Sequence, residues 1–352
     1  MSLANARRIL FSLALIALAG AAGAVGAAGA EEDARTKQLR LLCAQLSGDL
    51  TEPGALAAFR RCLSQEPTSA IKENAFGAAP AAAPAGYGRN SRRMVAGAVT
   101  RFQVASGDTL YVITTDGKLW RETIDRKDGR VVDPAVASFQ AIDGALFYAL
   151  GPDGKLWREN ADAKTRTLVD VGAAAFQALD GNLVYVLGRD GKLWRESGDM
   201  KNRGEVDRDV AAFQAIDASV VYVGARDGTL WRESGSAATR SLVASKLAAF
   251  HVVGETVYAL TAADRVLWRA AGNGKPEQVD AEVAAFQPID ARLVYVLAKD
   301  GRLWSELVDN RHRALVDSGV LLQPGVISFQ AIDAHQVYVL GGDHRLWAEK
   351  MP

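Results

Sequence analysis

The sequence predicts an all-β protein: a seven-bladed β-propeller of four-stranded antiparallel blades, preceded by a short disulfide-clamped helical hairpin. Three observations predict the ring. All seven tryptophans form one series, Trp120, Trp157, Trp194, Trp231, Trp268, Trp304 and Trp347, at intervals of 37, 37, 37, 37, 36 and 43 residues. A phenylalanine series (Phe102, Phe139, Phe176, Phe213, Phe250, Phe286, Phe329) and a tyrosine series (Tyr111, Tyr148, Tyr185, Tyr222, Tyr258, Tyr295, Tyr338) run in step with it. The stretch VYVLGRDGKLWRE (184–196) is rewritten as FYALGPDGKLWRE (147–159) and VYVLAKDGRLWSE (294–306). One period shared by three aromatic series, with about four short strands in each period, is the pattern of propeller blades.

The elements before the ring come first in chain order. Residues 1–30 carry Arg7 and Arg8, an apolar run from 9 to 25 and AGA at 28–30 ahead of EED, the layout of a cleavable signal peptide. The other reading is an uncleaved anchor, because the run reaches the length that spans a bilayer. Cleavage implies an exported chain, periplasmic or extracellular, without stable membrane insertion. In such an oxidising compartment Cys43 and Cys62, the only cysteines among 352 residues, are expected to pair. They fall in helical patterns at 36–46 and 54–65, separated by EPG, so residues 31–75 read as a clamped helical hairpin. A metal site there would lack a histidine to complete its ligands. Residues 76–92 are rich in alanine, proline and glycine and read as a linker. The ring is expected over 93–352.

Within one unit, AAAFQALD (173–180) is apolar on both faces, as in a strand covered on both sides. LVYVLGR and KLWRES flank Asp190-Gly191, a two-residue turn that closes a tight hairpin. That turn sets Leu187 opposite Trp194 and Tyr185 opposite Glu196, so Tyr185, Leu187 and Trp194 share one face. The tryptophan then reads as a wedge between blades, with a sugar-stacking platform as the alternative. RTLVDV (166–171) supplies the fourth strand. The glutamine after each phenylalanine (Gln103, Gln140, Gln177, Gln214, Gln287, Gln330; His251 once) is polar on a buried strand and needs a partner. The next blade's backbone is the favoured one, the central channel the other. The last unit ends without a fourth strand, whereas RRMVAGAVTRF (92–102) aligns with GRVVDPAVASF (129–139). Met94-Val95 is therefore expected to pair with the strand around 346–349 and close the ring.

The unit FQAIDxxxVYVLGxDGKLWRE resembles the tectonin or tachylectin-type propeller repeat over about 93–352. That resemblance implies lectin-like binding of glycans, or protein contacts, rather than chemistry. Tectonin rings are usually described with six blades and this chain has seven repeats, so individual sugar sites are not carried over.

Equal numbers of basic and acidic residues, 41 each, give no field to draw in nucleic acid. Four scattered histidines, no HExxH, no GxSxG and no carboxylate pair confined to one blade leave no catalytic constellation, and no enzyme, cofactor or metal is expected. The candidate binding residues are the aspartates four positions before each tryptophan: Asp116, Asp153, Asp190, Asp227, Asp264, Asp300 and Asp343. They serve turn geometry, or they form a ring of acceptors on the B–C turn face. The arginine after tryptophan (Arg121, Arg158, Arg195, Arg232, Arg269) is expected to bind an anionic group or to pair with a neighbouring carboxylate. Leu321 and Leu322 lie in a six-residue insertion within 316–329, on that same face or tucked over the ring. The expected partner is a glycan or cell-envelope polysaccharide at repeated sites, or else a protein.

Overall fold

The computed structural model describes residues 91–351, apart from 106–108, 125–127, 161–164, 273, 309–311 and 319–324. The expected leader, the expected Cys43/Cys62 hairpin and most of the expected linker lie outside the described residues. The ring's first strand begins at Ser91, so the last two residues assigned to the linker belong to the propeller. Among the described residues, no helix is long and apolar enough to cross a membrane.

The chain forms seven four-stranded antiparallel sheets. Blade 3 shows the pattern: strand A is β10 (Ala173–Ala178), B is β11 (Leu183–Gly188), C is β12 (Leu193–Ser197) and D is β13 (Arg203–Asp207). Six blades follow chain order. The seventh is completed by β1 (Ser91–Ala96), which pairs antiparallel with β28 (Leu346–Lys350): Met94 faces Trp347 and Arg92 faces Glu349. The expected closure is therefore present. It joins the ends of the ring and leaves no blade with a missing outer strand.

The hairpin register differs from the expected one. Leu187 faces Leu193, Val186 faces Trp194 and Tyr185 faces Arg195. Gly191 N–H donates to the Gly188 carbonyl (3.0 Å) and Gly188 N–H to that of Lys192 (2.8 Å), with Gly191 at φ 82°. The loop thus has three residues, Arg189, Asp190 and Gly191: a type I turn whose glycine takes the left-handed conformation. One extra loop residue moves the register by one and sends tyrosine and tryptophan to opposite faces. Tyr185 is buried against Phe213 of blade 4, ring centroids 6.4 Å apart, and Tyr148 and Tyr111 meet Phe176 and Phe139 of their next blades in the same way. The tyrosine is the deep wedge. The tryptophan lies toward the rim on the face turned to the preceding blade, as Trp120 and Trp347 pack on the clusters of blades 7 and 6.

At the hub, each glutamine bonds the next blade's backbone. Gln177 Nε2 donates to Ala215 O and its Oε1 accepts from Ala215 N, both at 2.8 Å. The same pair of bonds joins Gln103 to Ala141, Gln140 to Ala178, Gln214 to Val252, Gln287 to Ala331 and, across the closure, Gln330 to Val104. The exception has a physical cause. The seam between blades 5 and 6 sets His251 where glutamine stands elsewhere and Pro288 where the donating N–H stands elsewhere. Proline has no N–H to give, so a glutamine there would lose half its bonding. Burial pushes the His251 pKa down to about 4, so the imidazole is neutral at ordinary pH.

Deleting residues 92–97 strips the outer strand from blade 7, and a thermal melt is expected to fall by about 10 °C or more, at roughly 2–4 °C per kcal/mol for a ring of this size; an unchanged melt contradicts the closure. The paired change His251→Gln with Pro288→Ala supplies the missing hub bonds. In urea titrations it should be more stable than either single variant by about 1–2 kcal/mol.

Candidate functional site

The seven candidate aspartates stand one per blade at the B–C turns, on one face of the ring. Backbone bonds tie each turn to the D–A connections beside it: Ala173 N–H donates to Gly154 O and Arg189 N–H to Gly172 O, both at 3.0 Å. The structure brings no two of these aspartates together. Each carboxylate is used within its own turn. Asp190 Oδ1 accepts from Lys192 N (3.1 Å), and Asp153, Asp227, Asp300 and Asp343 make the same bond at 2.9–3.1 Å. Asp116 accepts from Lys118 N (3.3 Å) and from the Thr114 hydroxyl (2.6 Å), and Asp264 accepts from the Thr261 hydroxyl. Hydrogen bonds from Lys118 and Thr114 hold Asp116 down to about 2, and those of Lys155 lower Asp153 likewise. The second oxygen of Asp116, Asp153 and Asp300 pairs with the lysine or arginine two residues on, at 2.7, 3.0 and 3.5 Å, and these side chains stay half-exposed. Where glycine is missing after the aspartate, Arg265 and His344 take the left-handed conformation themselves (φ 57° and 61°).

Three of the arginines after tryptophan bond the next blade's backbone. Arg195 Nη1 donates to Ala218 O (2.8 Å), Arg121 Nε to Gly144 O (2.9 Å) and Arg269 Nη1 to Ala291 O (2.7 Å). The tyrosine hydroxyl bonds at the same A–B turns, as Tyr185 does with Asp217 O (3.2 Å). For these three the pairing is with main-chain carbonyls across the seam, and Arg269 also meets a carboxylate, Glu277, at 3.6 Å.

A second set of residues, which sequence reasoning passed over, joins neighbouring blades at the rim. Arg203 on the outer strand of blade 3 lies 2.9 Å from Glu196 of its own blade and 3.1 Å from Asp170 of blade 2. Its guanidinium also covers Trp194, 4.0 Å from the ring centroid. Arg166 does the same with Glu159, Asp133 and Trp157, Arg313 with Glu306, Asp280 and Trp304, and Arg92 with Glu349, Asp317 and Trp347. Arg240 lies on Trp231 and 3.9 Å from Asp207, beside the buried Glu233. Five of the seven indoles are therefore capped by arginine, which removes them as sugar platforms. The glutamates are buried beside the aspartates, and a buried pair of carboxyls keeps a proton. Desolvation first, and the neighbouring aspartate second, push Glu159 up to about 7, Glu196, Glu233 and Glu306 up to about 8 and Glu349 up to about 9.

The insertion of the sixth unit enters the D–A connection as expected, since Gly342 N–H in the following B–C turn donates to Gly325 O (3.0 Å). Leu321 and Leu322 lie outside the described residues. A depression of about 170 Å³ opens beside it between Arg92, Val316, Asp317, Ser318 and Glu349. That is smaller than the usual pocket for a small molecule, and its polar groups already belong to a rim clamp. Among the described residues, no three histidine, cysteine or carboxylate side chains converge to hold a metal ion.

Neither a family model nor a curated protein matches the chain. Solved structures match at the level of the fold. YCF48 bound to D1 peptide superposes with a TM-score of 0.57 at 9% identity, over 76% of this chain and 98% of that one. The β-propeller domain of Cps50 (Swd1) from Myceliophteria thermophila gives 0.58 at 9%, over 74% and 100%. An oligogalacturonate lyase in complex with manganese gives 0.53 at 12%, over 69% and 85%. This chain is a seven-bladed propeller. Identities this low reach the fold alone, and the neighbours include both an enzyme and a peptide-bound propeller. The tectonin likeness remains a likeness of the repeat sequence.

The rim clamps give the ring a pH dependence of definite sign. Each of the five glutamates holds its proton in the folded ring at pH values where the unfolded chain, titrating near 4.5, has released it. Stability from this source is complete below that pH and is lost as pH rises through about 7 to 9. Urea midpoints at constant ionic strength should decline from pH 5 to pH 9.5, and replacing Glu196 and Glu233 by Gln should flatten the decline; a flat or rising profile in the unsubstituted protein contradicts the shared protons.

Proposed function

We propose that the chain is a non-enzymatic binding propeller whose ligand is another polypeptide, exported to the periplasm or cell exterior by its leader. One observation carries this reading: the polar residues written into every blade are spent inside the ring. The glutamines close the hub, the rim arginines cover indoles and clamp carboxylates, and three of the arginines after tryptophan bond A–B turns. What remains distinctive is what departs from the repeat, chiefly the sixth-unit insertion and the irregular blades 4 and 5. Single, unlike features on a rigid ring suit one extended macromolecular partner better than many equivalent small ligands. That YCF48 was obtained bound to a peptide supports a propeller of this shape serving as a peptide binder.

A second reading is favoured by a specific observation, the half-exposed turn carboxylates of Asp116, Asp153 and Asp300, each paired with a neighbouring surface cation on a single face. They are placed to accept from sugar hydroxyls, and the tectonin-like repeat agrees. A glycan array and in-cell photo-crosslinking from the B–C turn face, both on the full-length chain, separate the two. A silent array with one protein partner crosslinked is the expected result. Selective glycan binding that Asp190→Asn and Asp227→Asn abolish, with the turns preserved, would overturn the polypeptide reading.

A further inference from the structure

We propose that the outer strand of blade 4, β17 (Ser241–Ala244), is a docking edge at which an extended apolar segment of a partner polypeptide, acidic at its ends, adds as a fifth strand. The inference rests on the polypeptide-binding reading and assigns it a place. Outer strands offer one edge of unpaired main-chain groups, and proteins blunt such edges with charge. Here six of the seven outer strands carry ionisable residues: Arg92 and Arg93 in β1, Arg130 and Asp133 in β5 (Arg130–Asp133), Arg166 and Asp170 in β9 (Arg166–Asp170), Arg203, Glu205 and Asp207 in β13, Glu277 and Asp280 in β21 (Glu277–Asp280), and three in β25 (His312–Asp317). β17 reads SLVA and has none.

The seam behind this strand is also unlike the others. Where five of the seams hold aspartate, glutamate and arginine at the rim, the junction of blades 4 and 5 has Ala244, Ala270 and Pro276. The three charges vanish together. The valine preceding the clamp aspartate is 0–5% exposed at Val132, Val169, Val206 and Val316, yet its counterpart Val243 is 37% exposed. Leu242 beside it is 58% exposed, and the buried cluster of this seam is reduced to Tyr222, Leu230, Val252 and Val257. Loss of the clamp alone does not open a seam: the junction of blades 7 and 1 has Ala96 and Gly129 in two of the three places, and Val95 there is 1% exposed. Apolar side chains left in water along an uncharged free edge are the features by which β-strand addition binds, main-chain bonds giving affinity and side chains selectivity.

The charge around the strand states what the partner carries. From Ser234 to Gly254 the chain has no acidic residue, while Arg240 precedes the strand and Lys246 follows it. A segment of alternating β-branched residues bracketed by carboxylates matches both the edge and its flanks.

The probe is a synthetic peptide of alternating valine and threonine with glutamates at both ends, added to the full-length protein and followed by amide hydrogen exchange and fluorescence anisotropy. Exchange over 241–244 should slow by about tenfold or more at saturation, with the equivalent strand 203–207 unchanged. Val243→Lys, a change at an exposed position, should abolish binding without lowering the thermal melt, and a lysine-bracketed peptide should bind at least about tenfold more weakly. Protection elsewhere, or none, or binding indifferent to Val243→Lys, would overturn the proposal. So would a dimer in sedimentation that Val243→Lys dissolves, which would make a second copy the occupant. If Val243→Lys leaves the crosslinked partner in place, the docking edge falls while the polypeptide-binding reading stands.

Discussion

A blade that is apolar on both faces cannot stand alone in water, and this constraint organises the molecule. Each sheet turns one face, with the buried tyrosine, toward the next blade and the other, with the phenylalanine and tryptophan, toward the one before. Coverage is complete only if the first blade covers the last. The borrowed strand β1 makes that closure covalently continuous, and Arg92 on it supplies the rim clamp between blades 6 and 7. Hydrophobic packing drives the arrangement. The directional bonds at hub and rim fix how far each blade is rotated against its neighbour.

Those bonds also decide where function can reside. Twelve bonds from six glutamines tie adjacent inner strands, and four arginines bridge carboxylates of two blades while covering an indole. A residue held in this way is structural whatever its chemical type, so recurrence marks the scaffold. Two interruptions flank blade 5. The seam of blades 4 and 5 lacks the rim clamp, and that of blades 5 and 6 lacks the hub clamp through His251 and Pro288. Blade 5 therefore keeps the glutamine clamp to blade 4, through Gln214, but not the rim clamp, and keeps the rim clamp to blade 6, through Arg313, but not the glutamine clamp.

Much of the architecture was legible in the sequence: the blade count, the four strands, the closure by Met94-Val95 and the bonding of the hub glutamines across blades. The register was not, because Asp-Gly ends a three-residue loop as readily as it fills a two-residue one, and the difference of one residue reverses the tryptophan's face. The rim clamps were written plainly in the repeat, in the glutamate two after tryptophan and the aspartate six before most phenylalanines. Their partnership was hidden because the members lie on different blades, 26 to 33 residues apart in four of the clamps and at opposite ends of the ring sequence where Arg92 takes part. A signal was nonetheless present. Ala244, Ala270 and Pro276 depart from the repeat at one seam, as do His251 and Pro288, and such joint departures are what contact between distant positions leaves in a repeat. The candidate aspartates were located correctly on one face, but their use in turns became visible only with the bonds from Lys192 and its counterparts.

The central claim is that polar residues on neighbouring blades act as single units across the seam. A double-mutant cycle in urea between Asp170→Asn on blade 2 and Arg203→Gln on blade 3 tests it most directly. A coupling energy of about 1–3 kcal/mol is predicted; additive effects of the two substitutions would contradict it.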